Sequence, residues 1–139
     1  MEPFELIDHT AEIGIRAQGS TREDLFAHMA QGMFSLIVPL EEIRAARSVS
    51  IRAQADGWEP LLVSWLRELL FLFDTQHLLG KSFQIHRLEP TLVEATLSGE
   101  ELDLSRHSVG REVKAVTYYD LSISQRSDGT WTAQVIFDV

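Results

Sequence analysis

Between positions 61 and 73 the chain carries Leu61, Leu62, Trp65, Leu66, Leu69, Leu70 and Phe73, apolar residues at three- and four-residue steps. That period belongs to an α-helix, and no strand presents it on one face. The stripe runs around much of the circumference. This helix is therefore expected to be central and covered on more than one side. Asp56-Gly57-Trp58-Glu59 marks its start, with Pro60 in the first turn, where a missing N–H costs nothing. A second helix opens at Ser20-Thr21-Arg22-Glu23, which reads as a capping box: Ser20 accepts from a free backbone N–H and Glu23 reaches back. Leu25, Phe26, Met29, Met33, Phe34 and Ile37 give it one broad apolar face, and Pro39 ends it.

The remainder alternates between apolar and polar residues. Segments 4–8, 13–17, 49–53, 83–88 and 92–97 read as strands with one wet face, and Glu89-Pro90 turns the fourth into the fifth. Two further strands are expected at 113–125 and 130–138, joined through Arg126-Ser127-Asp128-Gly129, where Asp-Gly supplies positive φ. Segment 99–112 is polar and reads as a loop. Ile15-Arg16-Ala17-Gln18 recurs as Ile51-Arg52-Ala53-Gln54, and at the same offset Ser20 meets Asp56, Leu25 meets Leu61 and Met33 meets Leu69. That echo fits a repeated strand–helix unit, and it fits equally any strand followed by a capped helix. The expected fold is α+β, a mixed β-sheet of about six to seven strands with two long α-helices packed against it. At 139 residues, without a linker or low-complexity segment, residues 1–139 are read as a single domain.

Charge narrows the functional classes. There are 21 Asp and Glu against 12 Lys and Arg, a net charge of −9. Binding nucleic acid strongly, or coating an anionic membrane, needs clustered Lys and Arg. A hard cation or a basic protein partner suits an acidic chain better. With no cysteine, disulfides, thiolate nucleophiles and cysteine-held metals are ruled out. Met1-Glu2-Pro3-Phe4-Glu5 is acidic where a signal peptide is basic, and no apolar run approaches the about 20 residues of a membrane span. A soluble cytoplasmic protein is expected.

Three groupings carry potential chemistry. Asp8-His9-Thr10-Ala11-Glu12 sets two carboxylates and an imidazole within five residues at a turn, where they suit divalent-metal ligation or acid–base work. Asp and Thr are equally ordinary turn residues. The last strand ends Val135-Ile136-Phe137-Asp138-Val139, with Asp138 facing away from Phe137 and beside the α-carboxylate. If that strand lies next to the first two, Asp138, Glu12 and Asp8 meet at one end of a sheet. Close carboxylates repel unless a cation sits among them, and calcium, magnesium or manganese is the fitting guest. The third grouping, Arg106-His107-Ser108-Val109-Gly110-Arg111-Glu112-Val113-Lys114, is the one basic concentration. It reads as an anion- or partner-facing loop, or as a solvated one. No phosphate-loop, nucleophile-elbow or zinc-protease motif is present, and no catalytic residue is assigned.

Taken together, Asp8-His9-Thr10-Ala11-Glu12, the Leu62…Trp65-Leu66…Leu69-Leu70 helix, Glu112-Val113-Lys114-Ala115-Val116-Thr117-Tyr118 and the closing Val135-Ile136-Phe137-Asp138-Val139 resemble the archease family over essentially the whole chain. The resemblance implies the archease fold and an accessory role. Archeases assist the GTP-dependent RtcB-type tRNA-splicing RNA ligase, promoting its guanylylation and repeated turnover, and are not enzymes themselves. It implies a calcium-like metal held by Glu12, Asp138 and Val139, with Asp8 as an additional candidate. Lys114 falls on the family's basic residue, and Arg111, Lys114 and His9 are the candidate partner or phosphate contacts. Glu12 stands where the family usually has Asp; it is one methylene longer and still suited to calcium. Two other classes fit less closely: a chaperone-like module acting on RNA-processing or methyltransferase enzymes, and a metal-dependent phosphoesterase.

Overall fold

The computed structural model describes residues 2–8 and 11–139, with Asp8 defined in its backbone alone. In chain order the elements are β1 (Phe4–Asp8), β2 (Glu12–Gly19), α1 (Arg22–Ile37), β3 (Arg47–Gln54), α2 (Trp58–Gln76), β4 (Leu78–Glu89), β5 (Leu92–Glu101), β6 (Ala115–Val116), β7 (Ser122–Gln125) and β8 (Trp131–Asp138), with a single 3-10 turn at Leu40–Glu42. The class is α+β, as the patterning implies. The strands, however, divide between two sheets, and every pairing is antiparallel. The first sheet runs β1-β2-β8-β6, with β7 also on β8; the second runs β3-β5-β4. No mixed sheet forms among the described residues: short connections join β4 to β5 and β7 to β8, and such connections return the chain antiparallel.

The inner faces are apolar: Ile13, Ile15, Val135 and Phe137 on the first sheet, Ile51, Val93, Ala95 and Leu97 on the second, all buried. α1 packs against both β2 and β4, whereas α2 packs chiefly against β3. The more enclosed helix is thus α1, not α2, whose Phe71 stands 60% exposed. Trp65 of α2 donates its indole N–H to the Phe26 carbonyl of α1 at 3.0 Å. Phe83 of β4 stacks on Phe34 and meets Trp65 edge-on, each at 5.9 Å between centroids. These contacts tie both helices to the second sheet. Gly32 lets α1 settle onto the first: a Cβ there would lie 2.9 Å from Ile15 Cγ2.

Helix starts depart by one residue from the sequence pattern. Thr21, not Ser20, caps α1, its hydroxyl accepting the Asp24 N–H at 3.0 Å. Ser20 instead donates to the Asp24 carboxylate at 2.8 Å. α2 starts after Gly57 at φ 123°, without a side-chain cap, so Asp56 does not serve. The 36-residue echo survives in the elements, since Arg22 and Trp58 both open helices after a strand. The sheets treat the two strands differently: β2 is interior, and β3 is an edge. Among the described residues no helix is long and apolar enough to cross a membrane.

Candidate metal site at the end of the first sheet

β8 is an interior strand, bonded by β2 on one side and by β6 and β7 on the other. Its register sets Glu12 directly opposite Asp138, and Asp138 opposite Ala115. Residues opposite one another in an antiparallel pair project to the same face, with Cβ atoms about 5 Å apart. Ile13, Phe137 and Val116, one position along, are buried in the core. Glu12, Asp138 and Ala115 therefore form a row on the outer face, and both acids are half-buried. The end of β8 is stitched on both flanks: Val139 N–H donates to Ala11 O at 3.2 Å and Lys114 N–H to Asp138 O at 2.8 Å. Asp138 thus belongs to a fixed strand and is not part of a solvated tail.

The pairing is unusual in this molecule. In the described registers, three other pairings set charged residues opposite one another, and each joins opposite signs: Glu5 opposite Arg16, and both Arg52 and Arg87 opposite Glu94. Glu12 opposite Asp138 is the like-charged exception. Like charges so placed are destabilising unless a cation lies between them. The donor set suits a hard cation, with two side-chain carboxylates and the α-carboxylate of the adjoining Val139. It depends on that third, main-chain group. Among the described residues, no three His, Asp or Glu side chains gather to hold a metal.

Asp8 pairs with Ile13, one residue out of step with the Glu12–Asp138 pair. Its side chain, and His9 and Thr10, lie outside the described residues, and with them the parts assigned to Asp8 and His9. Lys114 is exposed beside the acid row. Arg111 is also exposed, and its N–H donates to the Leu36 carbonyl at the end of α1 at 2.7 Å.

The front of the basic segment does not face outward. Arg106 donates to Glu100 Oε1, while His107 Nε2–H (2.9 Å) and the Arg44 N–H (2.8 Å) share Oε2. His107 is 5% exposed, and its Nδ1 accepts the Asp103 N–H at 2.8 Å. A ring nitrogen that accepts has no proton, so His107 is the neutral Nε2–H tautomer. Burial pushes the Glu100 carboxyl up, but the Arg106 hydrogen bond, the Arg44 N–H, His107 and the Arg106 charge outweigh it and hold the group at about 2. An outward anion-binding loop is thereby excluded for Arg106 and His107: an internal carboxylate already occupies both. Of the basic residues in this segment, Arg111 and Lys114 remain exposed.

Two features escaped the sequence reading. The Arg22 guanidinium lies between the Trp58 and Trp131 rings, 4.2 and 4.1 Å from their centroids. Arg67 lies 4.8 Å from the Tyr118 centroid and donates twice to the Val116 carbonyl.

The model of the Archease protein family matches residues 4–139. The chain is 36% identical over 140 residues to protein archease of Methanosarcina barkeri, covering 98% of this chain and 95% of that one. It is 35% identical over 143 residues to protein archease of Pyrococcus furiosus, covering 100% of both. The solution structure of Methanobacterium thermoautotrophicum protein 1598 superposes with a TM-score of 0.79 at 35% identity, over 100% of both chains.

Proposed function

This chain belongs to the archease family, and on that premise we propose that it is an accessory protein of an RtcB-type RNA ligase, stimulating guanylylation and repeated turnover through a divalent cation, calcium foremost, held at the end of the first sheet. The observation that carries the reading is the like-charged pair Glu12–Asp138 in direct register. Glu12, Asp138 and the Val139 carboxylate would supply the oxygens, with water completing the shell. A cation bound there supplies positive charge for phosphate oxygens during nucleotidyl transfer. β8 holds Asp138 in place through backbone bonds on both flanks, so the donors are positioned before a ligand arrives. Lys114, whose N–H bonds Asp138 O, sets one positive charge beside the acids, suited to a phosphate or to a carboxylate of the ligase. The protein lends a charged tip and leaves bond making to its partner.

Multiple-turnover RNA ligation by the purified ligase, with and without this protein, tests the proposal. Stimulation by the unsubstituted protein and its loss in Glu12→Ala and Asp138→Ala are expected. Calcium should also raise the melting temperature of the unsubstituted protein and not of Asp138→Ala, since a ligand of the folded state alone stabilises it. Full stimulation by both variants refutes the metal tip, and no stimulation by the unsubstituted protein refutes the accessory role.

A further inference from the structure

We infer that Gly110 is a positioning residue for the acid row: its backbone seats the basic segment on the end of α1, and that seat fixes where Lys114 meets Asp138. The inference rests on the cation reading above, since it assigns the seat to holding the donors in place. α1 carries no basic residue in its last turn to meet its final carbonyls. Backbone donors of the segment meet them instead. Gly110 N–H donates to the Ile37 carbonyl and Arg111 N–H to the Leu36 carbonyl, each at 2.7 Å. So close an approach needs glycine. A Cβ at position 110 would lie 2.7 Å from Leu36 O, against backbone and not against a side chain that can turn away.

A larger residue at this position has one direction in which to relax. Leu36 and Ile37 are buried, so the end of α1 is wedged in the core. Upstream the segment is pinned at three successive residues: Arg106 and His107 donate to Glu100, and Ser108 N–H donates to Glu42 Oε1 at 2.6 Å. The displacement therefore passes downstream.

There it reaches the tip. From Arg111 the chain runs through the buried Val113 to Lys114, whose N–H donates to Asp138 O at 2.8 Å. Three residues span about 10 Å at full stretch, so little slack absorbs a shift. The Lys114 bond holds the end of β8 on its β6 side. Once it loosens, Asp138 is free to swing away from Glu12, and a cation loses a fixed donor. Groups that hold metal ligands in place in this way change metal affinity by about ten- to a hundredfold when they are lost.

The experiment compares the unsubstituted protein, Gly110→Ala and Gly129→Ala by calcium calorimetry and by amide hydrogen exchange read by NMR. Gly129, at φ 92° between β7 and β8, controls for lost stability: its replacement strains the turn at the other end of β8 without touching the tip. Gly110→Ala is expected to weaken calcium binding about tenfold. It should also speed exchange of the Lys114 amide about tenfold, the worth of one hydrogen bond. Gly129→Ala should change neither. Parent values in Gly110→Ala overturn the inference and leave the cation site standing. Equal changes in the two variants also overturn it, because the effect is then one of stability alone. No calcium binding by the unsubstituted protein overturns the cation site, and Lys114 exchange by itself then decides the seat. Should Gly110→Ala not fold, Glu42→Ala removes only the acceptor of the Ser108 N–H. It should move both readouts the same way by a smaller factor, and parent values there overturn the inference.

Discussion

Replacing Glu100 by Gln tests the account of the charged cluster under the basic segment. The carboxylate accepts from Arg106, His107 and the Arg44 N–H, and its side chain is 12% exposed. Its carboxyl is held at about 2 against an ordinary 4.5. At about 1.4 kcal/mol per unit that difference amounts to at most ~3.4 kcal/mol, and solvent at the rim of the cluster brings it to about 2 kcal/mol. The folded-state value is depressed, so the stabilisation is complete above the unfolded value and is lost as pH falls through 4.5 toward 2. Gln removes the charge and turns one acceptor into a donor that faces other donors. Urea unfolding of the parent and Glu100→Gln at pH 7 and pH 3 provides the measurement. The two proteins share every other titrating group, so the difference between them isolates Glu100. The variant should be less stable by about 2 kcal/mol at pH 7, with less than about half of that gap left at pH 3. A gap under about 0.5 kcal/mol at pH 7, or an equal gap at both pH values, refutes the reasoning.

Two other substitutions probe the frame of the site. Arg22→Ala should cost about 1–2 kcal/mol through loss of its place between Trp58 and Trp131; a double-mutant cycle with Trp131→Ala should return a coupling of about 0.5 kcal/mol or more, and additivity would remove the interaction from the account. Gly99→Ala places a Cβ against the Leu79 carbonyl, where backbone meets backbone and neither side can yield cheaply. A loss of at least about 3 kcal/mol or failure to fold is expected, and a melting temperature within a few degrees of the parent would contradict it.

The helices were legible because their information is local. The apolar period of α2 places Trp65 and Leu69 in the core whatever packs on them. Their caps were less so: Ser20 and Thr21 are adjacent hydroxyls, Glu23 and Asp24 adjacent acids, and the pattern fits either frame. The single strand expected at 113–125 is two, because the chain turns at Tyr118–Leu121 and Asp120 takes φ 49°, a conformation Asp tolerates. The front of β4 shows no alternation, since Leu78, Leu79 and Gly80 are all buried. Only the left-handed His77, at φ 57°, separates it from α2, with no Gly or Pro to mark the junction. For the site, polarity along each strand was readable but neighbours were not. Nothing local says that Glu12 pairs with a residue at the far end of the chain, or that Glu100 draws Arg106 and His107 inward.

The cross-strand charges separate stability from function in these sheets. Glu5–Arg16, Arg52–Glu94 and Arg87–Glu94 are what selection for a stable sheet produces, each opposite-charge pair adding a few tenths to about 1 kcal/mol. Glu12–Asp138 forgoes that gain at a position where a single Lys or Arg would recover it. Asp138 also sits on a strand held on both flanks, with β2 on one side of β8 and β6 on the other. Repulsion between two carboxylates is easiest to relieve by letting one swing into solvent, and a strand bonded on both sides restricts that escape. A cation relieves it without moving the backbone. Lys114, bonded through its N–H to Asp138 O yet exposed at its side chain, lies next to the pair without being drawn between its members. The proposed charged tip accounts for a like-charged pairing that a sheet optimised for its own stability alone would not keep.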